Sequence, residues 1–264
     1  MNKYIFMIYL SFKSTIMYRT EALFRIIQTV IVLSVQVFLW KTLYANGTDT
    51  EISLRSMITY LILSTAAGIV LLDTGITQEI GRDVRDGSIS VHLSKPLSYM
   101  LSKWAQLMGR LLFLIIFNVL PMFIIGILLF GFSFPNEPYE LLLAGLLTIN
   151  AFLIFTMIYF IAGLSAFWFM EVHGAITLML RSLTRLLSGA LIPLWYFPVW
   201  LKSIADILPV RLGFDFPLSV YFGRLDKSGI LEGVFAQICW IIVLGLLGNI
   251  VWKIAARKLV IQGG

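Results

Sequence analysis

The residues of this chain that could do chemistry are few and fall into two sets. The first is a run of alternating charge from Gln78 to Lys103, QEIGRDVRDGSISVHLSKPLSYMLSK. Glu79, Arg82, Asp83, Arg85, Asp86 and Lys95 place carboxylates, guanidiniums and an ammonium close together. That set suits reversible ion pairing with another protein surface rather than bond making. Ile80 and Val84 share one helical face beside these charges, and Gly87 suits the end of the helix that carries them. The second set is Asp73, Arg181 and Arg185, ionisable groups inside apolar stretches. A charge near a bilayer centre costs about 2.5–3.5 kcal/mol on the lenient insertion scale, so such groups mark a pairing or a path.

Other chemistries are missing from the sequence. There is no G-x-x-x-x-G-K-[ST] loop to cradle ATP, and no Ser-His-Asp or Cys-His constellation. His92 and His173 lie apart with no further ligand nearby in sequence, so no metal site is expected. Cys239, the single cysteine, excludes an internal disulfide.

The elements that must position these groups are membrane helices. Of the 264 residues, 59% are hydrophobic and only 13% charged, and mean hydropathy is +0.91. A soluble domain carries about 25% charged residues. Runs long enough to cross about 30 Å of hydrocarbon predict six spans, at Ile26–Tyr44, Met57–Thr77, Leu107–Phe130, Leu141–Ala166, Ala175–Leu194 and Ile230–Trp252. Each must be helical, because lipid satisfies no open strand edge. With no internal repeat and no linker, residues 1–264 are expected to form one polytopic domain.

Basic residues orient the bundle. Segments 1–25, 79–110, 167–174 and 253–264 hold twelve of the twenty Lys and Arg, while Asp49, Glu51, Glu137 and Glu140 concentrate in the first two loops of the other side. By the positive-inside bias both termini are cytoplasmic. The net charge of +6 follows from that topology and from anionic lipid headgroups, with no nucleic-acid role needed. No cleavable leader is expected in the first twenty residues, which carry Lys3, Lys13 and Arg19. Ile5, Ile8, Phe12 and Ile16 recur at helical spacing and predict an interfacial helix over residues 1–20.

In the charged interval the second span is expected to continue as a short helix projecting from the bilayer and ending at Gly87. A brief extended stretch should follow. Ser94 and Pro96 then suit the start of a surface helix with the stripe Leu97, Met100, Leu101 and Trp104, ahead of the third span.

The segment EIGRDVRDGSISVHLSKPLS resembles the cytoplasmic signature of ABC-2 type permeases, the transmembrane subunits of bacterial ATP-binding cassette exporters. LSGALIPLWYFPVWLKSIADILPVRLGFDFPLSVYFG, residues 187–223, resembles the same family's signature after the fifth span. The resemblance implies a permease that forms a translocation path in a dimer, with an identical or related second permease subunit and two cytoplasmic ABC ATPase subunits. ATP and Mg would sit on the partner ATPase, with no cofactor on this chain. It also implies an N-terminal elbow helix, a cytoplasmic coupling region over residues 78–104, and re-entrant helices over 192–228 on the extracytoplasmic side. The last agrees with Pro193, Pro198, Pro209 and Pro217, which forbid an uninterrupted span there. Phe197 and Trp200 are of the aromatic type found at membrane interfaces. The expected location is the bacterial cytoplasmic membrane.

Within the spans, Asp73, near the cytoplasmic end of the second, suits headgroup-level exposure or a pair with an arginine of a neighbouring span rather than cargo binding. Arg181 and Arg185, one turn apart with Gly174, Leu178, Ser188 and Gly189, suit either an anionic cargo or lipid, or a structural pair with Asp73 or Glu171. Gln28, Thr29, Ser34, Gln36 and Asn150 suit a path lining or bonds between helices. The competing readings are a membrane-embedded enzyme or scaffold, a passive channel, and a lipid-handling subunit that moves no solute. An enzyme would need a convergent set of reactive groups, which these sparse residues do not supply.

Overall fold

The computed structural model describes residues 3–17, 19–46, 52–94, 97–135 and 137–262, so Lys95, Pro96, Asp49 and Glu51 lie outside it. Every regular element among the described residues is a helix. They are α1 (Lys3–Ile16), α2 (Arg19–Ala45), α3 (Leu54–Leu71), α4 (Gly75–Arg85), α5 (Ile89–Ser94), α6 (Tyr99–Leu114), α7 (Leu120–Phe130), α8 (Pro138–Leu164), α9 (His173–Leu187), α10 (Val199–Ile207), α11 (Asp215–Tyr221) and α12 (Lys227–Gln262).

Local chemistry sets many of the boundaries. Ser53 accepts from the Ser56 amide at the start of α3, and Ser98 from the Leu101 amide at the start of α6. Glu137 and Glu140 form a capping box around Pro138. A π-helical turn at Ile115–Val119 joins α6 to α7, with Pro121 just beyond it. Proline lacks the amide and crowds the preceding turn, and the wider turn relieves both without breaking the rod.

Among the described residues, five helices are long and apolar enough to cross a membrane: Thr20–Ala45, Leu54–Arg85, Tyr99–Phe130, Pro138–Phe167 and Lys227–Lys258. They contain five of the six expected spans. The remaining one, Ala175–Leu194, is corrected in its bounds: α9 has only 15 residues, about 22 Å at 1.5 Å per residue, and is shorter than the expected span. Its end is fixed where Gly189 takes φ 87°. The interval after Gly87 is corrected too, since it is the helix α5 rather than extended chain. The surface helix expected before the third span is the first part of α6, capped by Ser98 rather than Ser94.

α8 is the hub of the bundle, packing on α12, α4, α11 and α3. Its inner face, with Leu147, Ala151, Ile154, Phe155, Tyr159 and Phe160, is buried, while Leu142, Leu146 and Ile149 face outward. A second cluster joins α2, α3 and α7 through Leu33, Val37, Met57, Tyr60 and Met122. α1 lies across α6, where Ser11 donates to the Gln106 carbonyl at 2.6 Å. Its other face exposes Ile5, Phe6, Tyr9 and Leu10, as an interfacial helix requires.

Contacts gather the loops at two ends. Tyr99 stacks on Trp252, Phe167 meets Trp252, and Lys258 lies over Trp168. At the other end Trp40 meets Tyr196, Tyr221 donates to the Ser133 carbonyl, and Arg224 lies over Trp195. This is the partition that the basic residues predict.

The crossing of α1 on α6 depends on Gly109, where an added Cβ would lie 2.7 Å from the Ser11 Cβ and 2.8 Å from the Phe12 amide nitrogen. Gly109→Ala is expected to lower stability by about 1–3 kcal/mol through overpacking against backbone. Gly145→Ala, in open space on α8, should be neutral or gain up to about 1 kcal/mol of helix propensity. Thermal melting of the two purified variants in detergent checks the contrast.

Candidate functional site: a charged joint and an arginine-lined cavity

α4 and α6 carry complementary faces. Glu79 and Asp83 sit four residues apart on α4, and Tyr99 and Lys103 four apart on α6, so each pair projects from one side of its helix. Lys103 Nζ lies 2.7 Å from Asp83 Oδ2 and 3.8 Å from Glu79 Oε2, and the lysine is only 3% exposed. It also donates to Gln106 Oε1 at 3.2 Å, while the Tyr99 hydroxyl donates to Asp83 Oδ2 at 2.8 Å. His92 of α5 approaches the same carboxylate at 4.0 Å. Because Tyr99 stacks on Trp252 of α12, with rings 4.6 Å apart and 9° from parallel, the joint ties three long helices together.

Glu79 and Asp83 therefore face inward, which corrects the expectation that they lie on a docking surface. Ile80 is corrected as well: it is fully buried against α8, where a Cβ on Gly163 would come within 2.7 Å of its Cδ1. Val84 is half-buried against the same core. α4 is held along that face as far as Gly81, which leaves room for the His173 ring. His173 Nε2 lies 3.2 Å from the Thr77 carbonyl and Nδ1 3.1 Å from Ser165 Oγ. A carbonyl only accepts, so Nε2 carries the proton and Nδ1 accepts from the serine.

What remains outward is a small tip. Arg82, Arg85, Asp86, Gly87, Ser90 and Val91 are exposed, and Arg82 and Arg85 make no ion pair among the described residues. Gly87 takes φ 69°, just after the Asp86 cap. That is the left-handed conformation which closes a helix and which glycine adopts without strain.

The intramembrane candidates converge. Asp73 sits in the break between α3 and α4, where its Oδ1 accepts from Arg110 Nη2 of α6 at 3.0 Å. The pair expected for Asp73 thus exists, with Arg110 as partner. Arg181 and Arg185 pair with neither Asp73 nor Glu171. Instead they line a cavity of about 470 Å³ together with Asp73, Arg110 and Arg25. Gln28, Thr29 and Gln36 of α2 line it too, whereas Ser34 bonds its own helix and Asn150 binds Gln237 across to α12.

At the opposite end the proline-rich region is broken into short helices, as expected. Pro193 precedes a 3₁₀ turn at Leu194–Tyr196, Pro198 caps α10, and Pro209 opens a second 3₁₀ turn at Pro209–Gly213. Pro193 and Pro209 are buried, Phe197 is half-buried, and Trp200 is exposed. Arg211 pairs with both Asp206 and Asp215. Burial pushes the Asp215 carboxyl up to about 6.

The family described as ABC-2 family transporter protein matches residues 30–263. The chain belongs to that family. No curated protein matches it. The match makes the chain an ABC-2 permease, the membrane component of a transporter that works with ATP-binding cassette subunits. In this ABC-2 permease the matched residues include the joint, the tip and most of the cavity, while α1 and the cavity residues Arg25, Gln28 and Thr29 precede them.

Lys103, Tyr99 and Arg110 were not singled out from sequence. The i,i+4 complement between Glu79–Asp83 and Tyr99–Lys103 is the signal that finds the first two. Lys103→Met is expected to destabilise the permease by about 3 kcal/mol, the lower end for removing one partner of a buried pair, because Glu79 and Asp83 keep some solvent. Asp83→Asn in the Lys103→Met background should restore part of that loss. Detergent melting curves of the single and double variants measure it.

Proposed function

We propose that this permease is the path-forming subunit of an exporter driven by separate ATPases, with the α4–α5 tip as its coupling element. Two cytoplasmic ATP-binding cassette subunits, holding ATP and Mg, would each take one tip of a permease dimer whose second subunit is identical or related. The observation that carries this reading is the division of charge on α4. Glu79 and Asp83 are neutralised inside by Lys103, while Arg82 and Arg85 are presented outward with no ion pair among the described residues.

A buried ion pair at the base stiffens the element, and exposed guanidiniums at its end suit bidentate bonds to carboxylates in an ATPase groove. Val91, 55% exposed, supplies the apolar contact that Ile80 cannot. When the ATPases close on ATP, displacement of the tip passes through the Lys103 joint to α6 and α12 as well as along α3, as hinge or shear motion of rigid rods. Export as the direction, the bacterial cytoplasmic membrane as the location and cytoplasmic termini belong to the same reading.

Arg82→Glu/Arg85→Glu is expected to cut co-purification of the ATPase and transport-stimulated ATP hydrolysis by at least about tenfold, equivalent to about 1.4 kcal/mol of docking energy, with the melting temperature unchanged. A fully active complex from that variant would refute the coupling assignment. In a Cys239→Ser background, Ser90→Cys should react with an impermeant maleimide only from the cytoplasmic side and Ser203→Cys only from the outside. The reverse pattern would invert the topology.

A further inference from the structure

The arginine-lined cavity has an imbalance of charge that no ion pair among the described residues resolves. Arg110 is matched by Asp73 at 3.0 Å. Arg25, Arg181 and Arg185 line the same space and make no ion pair among the described residues. These three cations come from two helices, α2 and α9, that wall the cavity from opposite sides. α2 packs on α3 and α7, and α9 on α8 and α4, with little direct contact between them.

The cavity is deep as well as cationic. From Arg25 to Gln36 it follows α2 for eleven residues, about 16 Å at 1.5 Å per residue, or half the thickness of the hydrocarbon. Gln28 and Gln36 add amide donors, and Ser64 and Thr65 of α3 add hydroxyls. The lips beside it are apolar: Phe24, Ile27 and Ile31 on α2 are 75%, 57% and 57% exposed, and Leu178 on α9 is 66% exposed.

Isolated cations are costly at this depth, and the cost falls when an anion accompanies them. Guanidiniums are the side chains that meet phosphate and carboxylate with paired hydrogen bonds. A volume of about 470 Å³ lies in the range of small-ligand sites. We propose that this cavity is a binding site for the phosphate or carboxylate group of an anionic amphiphile, with Arg181 and Arg185 on one wall and Arg25 on the other. The acyl or other apolar part lies along the exposed faces of α2 and α9. This inference rests on the permease reading and names the class of cargo.

The full chain is placed in phosphatidylcholine nanodiscs without ATPase or nucleotide and titrated with a fluorescent short-chain phosphatidic acid. Phosphatidylcholine of the same chain length and label serves as the uncharged-head control, and inorganic phosphate as competitor. The phosphatidic acid should bind saturably and at least about tenfold more tightly than the control. Arg181→Gln/Arg185→Gln should weaken it by at least about tenfold, whereas Arg181→Lys/Arg185→Lys should lose less. Both arginines are exposed in the cavity, so melting temperatures should be unchanged. Failure of phosphate to displace the probe assigns an amphiphile. Displacement by phosphate, with phosphate affinity also lost in the glutamine variant, keeps the anion site and assigns a soluble anion. Equal binding of the two lipids, or binding insensitive to the glutamine changes, overturns the proposal. Because no ATPase is present, that failure would leave the coupling reading standing, and failure of coupling would leave the binding result standing.

Discussion

Lys103 is the point on which the α4–α6 end of this permease depends. An ammonium with 3% exposure is tolerable only where carboxylates and hydrogen bonds replace the water it has lost. Asp83, Glu79 and Gln106 provide them, and the Tyr99 hydroxyl donates to the same Oδ2 of Asp83 that Lys103 meets. Once that set is satisfied, α4 cannot rotate or slide on α6 without exposing an unpaired charge to an apolar surround. The interaction matters less for net stability, which buried pairs contribute weakly, than for fixing one register between two helices.

Apolar packing completes the same constraint from the other side. Ile80 fills the space over Gly163, the His173 ring fills the space over Gly81, and Thr77 donates to the Tyr159 carbonyl at 2.7 Å. α4 is thus pinned to α8 and α9 by close contact and to α6 by charge, and of its side chains beyond Gly81 those of Arg82 and Arg85 are exposed. A lever needs this combination, because a tip that moved independently of its base would transmit nothing to the bundle.

Much of this was legible in the residues. Apolar runs gave five helices of crossing length because nothing interrupts Ile26–Tyr44 or Leu141–Ala166. The sixth is shorter than its apolar run because hydropathy counts apolar residues without asking whether the chain can stay helical. Gly189 and Pro193 end α9 early, and Arg181 and Arg185 leave one of its faces polar. Glu79 and Ile80 were assigned outward because a charged segment reads as solvated and an apolar residue within it as a contact. Periodicity gives the faces of α4, but which face meets the bundle is decided by Gly163, 83 positions from Ile80, and Lys103, 24 positions from Glu79. Asp73 was legible as half of a pair. Arg110 became its partner only when the break between α3 and α4 brought the two together.

That break connects the two halves of the site. Leu72–Thr74 interrupts the rod between α3 and α4, and Asp73, held there by Arg110, is at once the end of the lever and part of the cavity wall. Arg110 is seven residues beyond Lys103 on α6, two helical turns along the same face. A tilt of α4 that preserves the Lys103 pair must therefore be absorbed at the break, where Asp73 and Arg110 either move together or separate. Separation would free a fourth arginine into the cavity and leave the Asp73 carboxylate, whose Oδ2 already has no partner, as an unpaired buried charge. In the proposed mechanism the pair is the place where motion of the tip would change the field an anion meets in the membrane, so that ATPase closure and anion occupancy would be coupled through the same two side chains.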